Sequence, residues 1–281
     1  MKHKLLQRVG IFYRHDNRAA TLWAKNIEGW IRTHYPKIAI SDKKPQALIA
    51  IGGDGTILEA ARKFERQHPV IVGLNLGNVG FLASVRERRE FLSYLKNLLK
   101  GEYGVTRRMM LNAHVVRRGR TVYSTNALNE VVVQNPLGIL EVEVSPDGYP
   151  VQYIRGNGVL VATPTGSTAY NLSAHGPIVM PDIKCLIVTE ILDHNIPTPS
   201  MIVKYTKDIV LRVVHFRRRG LLTIAKTGEP ADALLVADGE VLFPLMPRDE
   251  IVVRRSPRLI QFAEFEKGYF FKSLNEKFGF R

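Results

Sequence analysis

Ala47-Leu-Ile-Ala-Ile51 runs without a break into Gly52-Gly53-Asp54-Gly55-Thr56, and Ile57, Leu58, Ala61 and Phe64 follow. A short apolar run bounded by turn residues reads as a strand buried on both faces. The apolar residues after the turn recur at helical intervals, so the stretch reads as strand, glycine turn, helix. Upstream, Val9-Gly-Ile-Phe-Tyr13 predicts a first strand. Asn17 to Tyr35 predicts a helix ended by Pro36, with Leu22, Trp23, Ile27, Trp30 and Ile31 on one side. Downstream, Pro69 to Leu74 predicts another strand, followed by Asn75-Leu-Gly-Asn-Val-Gly-Phe81. Arg86 to Leu99 predicts a helix, with Gly101 behind it. Strands alternating with helices imply a Rossmann-like parallel α/β sheet.

Near residue 103 the pattern changes. Runs suited to strands follow at Asn112–Arg117, Val131–Gln134, Leu140–Val144, Gly158–Ala162, Ile209–His215, Leu221–Ala225, Leu234–Ala237 and Ile251–Arg254. Turn signals such as Pro146-Asp-Gly148, Asp238-Gly239 and Pro247-Arg-Asp249 separate many of them. The expected organisation is an α/β nucleotide-binding domain over 1–104 and a β-rich domain over 105–256. A C-terminal segment, 257–281, carries Phe270, Phe271, Leu274 and Phe278 at helical spacing. A lone helix of that length is marginal in water, so it is expected to pack back on the first domain. No internal repeat and no low-complexity segment is present.

The chain has 281 residues, 45% of them hydrophobic, enough for a real core. It has no run of roughly 18 apolar residues of the kind a membrane span needs. Arg8 cuts short any apolar stretch behind the basic start, so no signal peptide is expected. The single cysteine, Cys185, excludes an internal disulfide and fits a reducing cytoplasm. The net charge of +14 favours anionic partners. Its basic residues come in small groups, such as Arg117-Arg118 and Arg217-Arg218-Arg219, which read as solvated surface. A non-enzymatic nucleic-acid binder is therefore the weaker alternative. His-Glu-x-x-His, Cys-x-x-Cys and Gly-x-Ser-x-Gly are all absent. Ser93-x-x-Lys96 lies in an amphipathic helix pattern and reads as surface.

The chemistry starts at the glycine turn. Glycines after a buried strand let a ligand approach main-chain N–H groups, and a helix N-terminus adds partial positive charge that suits phosphate. Asp54 would repel phosphate, so its carboxylate fits better as a partner for a substrate hydroxyl or for Mg²⁺. The alternative is a plain helix cap by Asp54 or Thr56. The turn is neither a P-loop nor the Gly-x-Gly-x-x-Gly dinucleotide fingerprint. In an open α/β sheet, the glycine turns after the two strands would both face the crevice at the strands' carboxyl ends.

A second constellation lies further on. Asn129-Glu130 precedes the strand Val131-Val132-Val133. Thr163-Pro-Thr-Gly-Ser-Thr-Ala-Tyr170 is a hydroxyl- and glycine-rich turn placed directly after a strand. In their order and spacing, the Gly52–Thr56 turn, Asn129-Glu130 and Thr163–Tyr170 resemble the NAD kinases. Gly77 to Leu82 and Asp238-Gly239-Glu240 also look like family positions, and the likeness spans about Ala47 to Pro257. The first motif is shared with diacylglycerol and sphingosine kinases. The Thr163–Tyr170 segment speaks against those lipid kinases.

The resemblance implies transfer of the γ-phosphoryl of ATP, or of polyphosphate, to the adenosine 2′-hydroxyl of NAD, with Mg²⁺ as cofactor. By similarity, Asp54 is the catalytic residue, and Gly52, Gly53, Gly55 and Thr56 hold the donor phosphates. Phe81 packs on adenine, Asn129 holds the adenosine ribose, and Glu130 holds the nicotinamide ribose. Thr168, Ala169, Tyr170 and Ser173 line the dinucleotide site, and Arg155 suits the new 2′-phosphate. No nucleic-acid or membrane partner is expected, and a cytoplasmic homodimer or homotetramer is. Two positions depart from the family. Asn157 stands in Gly156-Asn157-Gly158 where many members carry Asp, and His175 stands where glycine is common. Asn157 remains an expected NAD-binding residue, without the charge. His175 reads as structural.

Overall fold

The computed structural model describes residues 5–77, 80–194, 198–220, 222–224 and 228–279. Asn78 and Val79 of the second glycine turn, and Leu221 and Ala225 of one expected strand, lie outside them. In chain order the elements of the first part are β1 (Arg8–Tyr13), α1 (Arg18–His34), β2 (Ala39–Ile40), β3 (Ala47–Gly52), α2 (Asp54–Phe64), β4 (Val70–Asn75) and α3 (Phe91–Leu99). Next come β5 (Gly104–Arg117), β6 (Arg120–Ala127), β7 (Glu130–Gln134), β8 (Leu140–Pro146), β9 (Gln152–Ala162), α4 (Tyr170–Ser173), β10 (Cys185–Asp193) and β11 (Met201–Lys204). The chain closes with β12 (Ile209–Phe216), β13 (Leu234–Ala237), β14 (Glu240–Pro244), β15 (Glu250–Glu264) and α5 (Tyr269–Phe278).

Two compact units result. One comprises Met1–Arg108 with Arg258–Arg281, the other Met109–Pro257. In the first, the strand order is β15–β4–β3–β1–β2 and every pairing is parallel. β3 is central and all six of its residues are buried, as its unbroken apolar run requires. Asn17 caps α1, its Oδ1 accepting from the Ala20 N–H at 3.1 Å, and Ala20, Ala24, Ile27 and Ile31 form the buried face.

The helix expected from Arg86 starts later, at Phe91, after a 3₁₀ turn over Arg88–Glu90. The cause is upstream. Val85 bridges Leu74, and its carbonyl accepts the Asn75 N–H at 2.9 Å, so the chain stays extended there. The C-terminal helix runs Tyr269–Phe278 between Gly268 and Gly279, both in the left-handed conformation. It belongs to the first unit, where Ser273 Oγ donates to the Gly80 carbonyl at 3.1 Å.

The second unit is antiparallel. β14–β13–β7–β9–β8–β12–β15 lie in that order, with β10 on β9, β11 on β10 and β6 on β5. Its core is aliphatic, with Val131, Val133, Val142, Val159, Val161, Leu211 and Leu235 among its members. β6, β10, β11 and β14 were not expected from the sequence. The strand expected over Leu221–Ala225 reduces, among the described residues, to an isolated bridge between Thr223 and Pro230. No helix among the described residues is long and apolar enough to cross a membrane.

Candidate active site

β3 and β4 run side by side and parallel, Gly52 opposite Asn75, so both glycine turns emerge at the same sheet end. Asp54 is the first residue of α2. Its N-cap is Gly53, which offers no side chain, and neither Asp54 nor Thr56 occupies the cap position. The Asp54 carboxylate instead reaches across to the second turn. Oδ2 accepts from the Phe81 N–H at 2.7 Å and Oδ1 from the Leu82 N–H at 3.2 Å. Two donors fix the carboxylate plane while each oxygen keeps lone-pair capacity for a further partner.

The glycines divide by cause. A Cβ at Gly52 would lie 2.5 Å from Thr56 Oγ1, and one at Gly80 would lie 2.1 Å from Asp54 Oδ1, so packing demands glycine at both. A Cβ at Gly53 or Gly55 would meet nothing within 4 Å. Protein packing therefore does not explain those two. Bare backbone facing open space at a helix N-terminus is what a phosphate needs.

Phe81 is buried, 8% exposed, and its surroundings are protein. Its ring lies 5.8 Å from Phe270 and stacks on Phe278 at 6.4 Å, and Lys277 Nζ sits 5.1 Å over it. All three neighbours come from α5. Arg86 holds that helix in place. It donates to the Tyr269 carbonyl at 3.1 Å and to Ser273 Oγ at 2.6 Å, pairs with Glu276, and lies over the Tyr269 ring.

In the second unit, the Asn129-Glu130 step and the Thr163–Tyr170 turn meet through backbone. The Thr163 N–H donates to the Asn129 carbonyl at 2.8 Å, and Thr163 Oγ1 donates to the Leu128 carbonyl at 2.6 Å. A Cβ at Gly166 would lie 2.2 Å from the Asn129 oxygen, so only glycine permits this approach. Thr168 is buried, its Oγ1 donating to the Thr165 carbonyl. Ala169 is half-buried and Tyr170 and Ser173 are exposed. Asn129 is half-buried.

Glu130 is 5% exposed. The Tyr170 backbone N–H donates to its carboxyl group, but Oε2 is buried without a partner. Burial, and then the charge of Asp238, push its pKa from 4.5 to about 8. A buried oxygen with no partner is uncommon in folded proteins and suits a ligand hydroxyl.

The two departures from the family have local explanations. Asn157 Nδ2 donates to the carbonyls of Asn135 at 3.3 Å and Gly138 at 3.4 Å, which a carboxylate cannot do. Its amide nitrogen is thus committed to the 135–138 loop. His175 has φ of 62° just past α4, a conformation that glycine adopts most easily. Arg155 is exposed and paired with Glu141 at 3.4 Å, in a pocket of about 220 Å³ that Arg217, Arg219 and His215 also line. Among the described residues no three His, Cys, Asp or Glu side chains gather as a metal site. The sequence marked Asp238 as part of an Asp-Gly turn and as a family position, but not for its contacts. Its contacts with residues about 110 positions earlier leave no local signal.

The profile of the ATP-NAD kinase N-terminal domain matches residues 2–103, and that of the ATP-NAD kinase C-terminal domain matches residues 128–265. An NAD kinase of Syntrophotalea carbinolica is 31% identical over 98% of this chain and 99% of its own length. One of Symbiobacterium thermophilum is 36% identical over 82% of this chain and 77% of its own. Among solved structures, yeast NADH kinase complexed with NADH superposes with a TM-score of 0.87 at 20% identity, covering 99% of this chain and 89% of that one. At that identity the likeness shows the fold alone. An NAD kinase from Archaeoglobus fulgidus in complex with ATP gives 0.75 at 25% identity, covering 96% and 99%. With both domain profiles matched and a relative aligned along its whole length, the chain belongs to the NAD kinase family and phosphorylates NAD to NADP.

Proposed function

We propose that Asp54 holds the adenosine 2′-hydroxyl of NAD and takes its proton as the γ-phosphoryl of ATP arrives. The observation that carries this reading is the carboxylate pinned by two N–H donors at the first turn of α2, beside bare backbone at Gly53 and Gly55. Phosphoryl transfer is mainly positioning and charge neutralisation. The N–H groups at Gly53 and Gly55 suit the donor phosphates, Thr56 offers its hydroxyl because its own N–H donates to the Gly53 carbonyl at 3.0 Å, and Gly52 makes the close turn that presents them. Inorganic polyphosphate offers the same oxygens and is a second candidate donor. Mg²⁺, carried with the donor, supplies charge neutralisation when bound. Asp54 is the carboxylate at this turn that would hold it, together with the donor phosphates.

For NAD, Asn129 suits the adenosine ribose, and the unpartnered Oε2 of Glu130 suits a hydroxyl of the nicotinamide ribose. Thr168, Ala169, Tyr170 and Ser173 suit the lining of the dinucleotide site, and the Arg155 guanidinium matches a 2′-phosphate. Phe81 meets adenine only where Phe270 and Phe278 yield a face of its ring. Asn157 contributes through the loop it ties down. The working enzyme is a homodimer or homotetramer in the cytoplasm.

The test is NADP formation from NAD, ATP and Mg²⁺ by Asp54→Asn. Loss of a general base lowers turnover by roughly 10²–10⁴-fold. Unchanged thermal unfolding would show that the fold survives, and near-normal turnover would remove Asp54 from this role.

A further inference from the structure

Asp238 and Gly239 form the two-residue turn between β13 and β14, with Ala237 paired to Glu240. Both residues have positive φ, 50° and 79°, the geometry for which Asp-Gly and Asn-Gly are the usual choices. The turn by itself has no need of a carboxylate, since an amide fits equally well. The Asp238 side chain is 8% exposed and faces away from its own hairpin, towards the residues that begin β7. Oδ2 accepts from the Leu128 N–H at 2.8 Å. Oδ1 accepts from Asn129 at 2.7 Å and from Glu130 at 3.3 Å. The Asp238 N–H donates back to the Glu130 carbonyl at 3.1 Å.

Three successive main-chain N–H groups converging on one carboxylate fix the path of Leu128–Glu130. They thereby fix the directions in which Asn129 and Glu130 project. The arrangement sets a carboxylate beside the carboxyl of Glu130, whose ionisation it opposes. A contact serving stability alone gains nothing from that neighbour.

We propose that Asp238 is a positioning residue for NAD, holding Asn129 and Glu130 in the orientation that receives the two riboses. The proposal rests on the reading that those two side chains contact NAD. Four variants test it by steady-state kinetics: Asp238→Ala, Asp238→Asn, Asn129→Ala and Glu130→Gln. Loss of hydrogen bonds to a charged acceptor is worth about tenfold or more. Asp238→Ala should therefore raise KM for NAD by about tenfold or more and move KM for ATP by less than about twofold. Asp238→Asn, which keeps one acceptor oxygen, should have a smaller effect of the same kind. A merely structural role behaves differently, because a smaller folded fraction lowers apparent kcat and leaves both KM values alone.

If Asn129→Ala and Glu130→Gln raise KM for NAD while the Asp238 variants change only apparent kcat, the inference fails and the site reading stands. If Asn129→Ala and Glu130→Gln leave KM for NAD unchanged, the site reading fails and takes the inference with it. Should Asp238→Ala not fold, Asp238→Asn carries the same test.

Discussion

At Gly80 and Gly55 the same residue type answers to opposite needs. A methyl at Gly80 would meet the Asp54 carboxylate, while one at Gly55 would project into open space on a helix. Gly80→Ala should lower stability by about 1–3 kcal/mol through overpacking, read as a lower melting temperature. Gly55→Ala should stabilise by about 0.5–1 kcal/mol, because alanine is the better helix residue, yet raise KM for ATP where the methyl crowds phosphate. A Gly55→Ala enzyme with unchanged KM for ATP would take that glycine out of the donor site. Glu130 makes a prediction in pH. Its folded pKa of about 8 lies above its ordinary 4.5, so the folded state keeps a proton that the unfolded chain releases. Its contribution is therefore fully present below pH 4.5 and lost as pH rises through about 8. Glu130→Gln does not titrate. Its melting temperature should gain on the parent across that window and hold the gain above it. A constant offset at all pH values would contradict the assigned burial. The Gly52–Thr56 turn and the Thr163–Tyr170 segment stood out as local signals, whereas Glu130 was marked only by the family resemblance. What Asp54 and Asp238 bind was not legible, because their partners are distant in the chain.

Elements were legible where their pattern is governed by burial. β3 sits between parallel neighbours and reads as one apolar run. α1 shows an apolar stripe, an Asn cap and a terminating proline. β6, Arg-Thr-Val-Tyr-Ser-Thr-Asn-Ala, is polar and mostly exposed or half-buried along its length, so pairing with β5 rather than hydrophobicity makes it a strand. β10 is apolar enough to read as a strand, but Thr189 and Glu190 interrupt its apolar run. α3 began later than its composition suggested because the Leu74–Val85 bridge claims the chain first. α5 depends most on its docking. Arg86 supplies two hydrogen bonds, an ion pair and a ring contact to it. Arg86→Ala should leave the rest of its unit folded but open the last helix to protease, cleaving behind Lys267 at low enzyme ratios. Full resistance in that variant would mean that the Phe81–Phe270–Phe278 cluster holds α5 unaided.

For the whole molecule, a charge of +14 and a pI near 9.9 set a field that attracts both anionic substrates. Raising ionic strength from about 0.01 to 0.15 M shortens the screening length from about 30 to 8 Å. The expected outcome is a fall in kcat/KM for ATP with kcat unchanged, and a salt-independent kcat/KM would show that steering plays no part. The sequence by itself determined that an α/β half precedes a β-rich one. It also determined that a carboxylate stands in a strand-to-helix glycine turn and that a hydroxyl-rich turn follows a buried strand. Hydrophobic period and turn chemistry are local properties, readable from neighbours in the chain. Only the tertiary structure decided that Asp54 grips the Phe81–Leu82 backbone and that α5 covers Phe81. It also decided that Asp238 gathers three amides from β7 and its approach, and that Glu130 keeps an unpartnered oxygen. Each of these depends on where backbone donors and a closed interior bring residues far apart in sequence, and no local pattern encodes that placement.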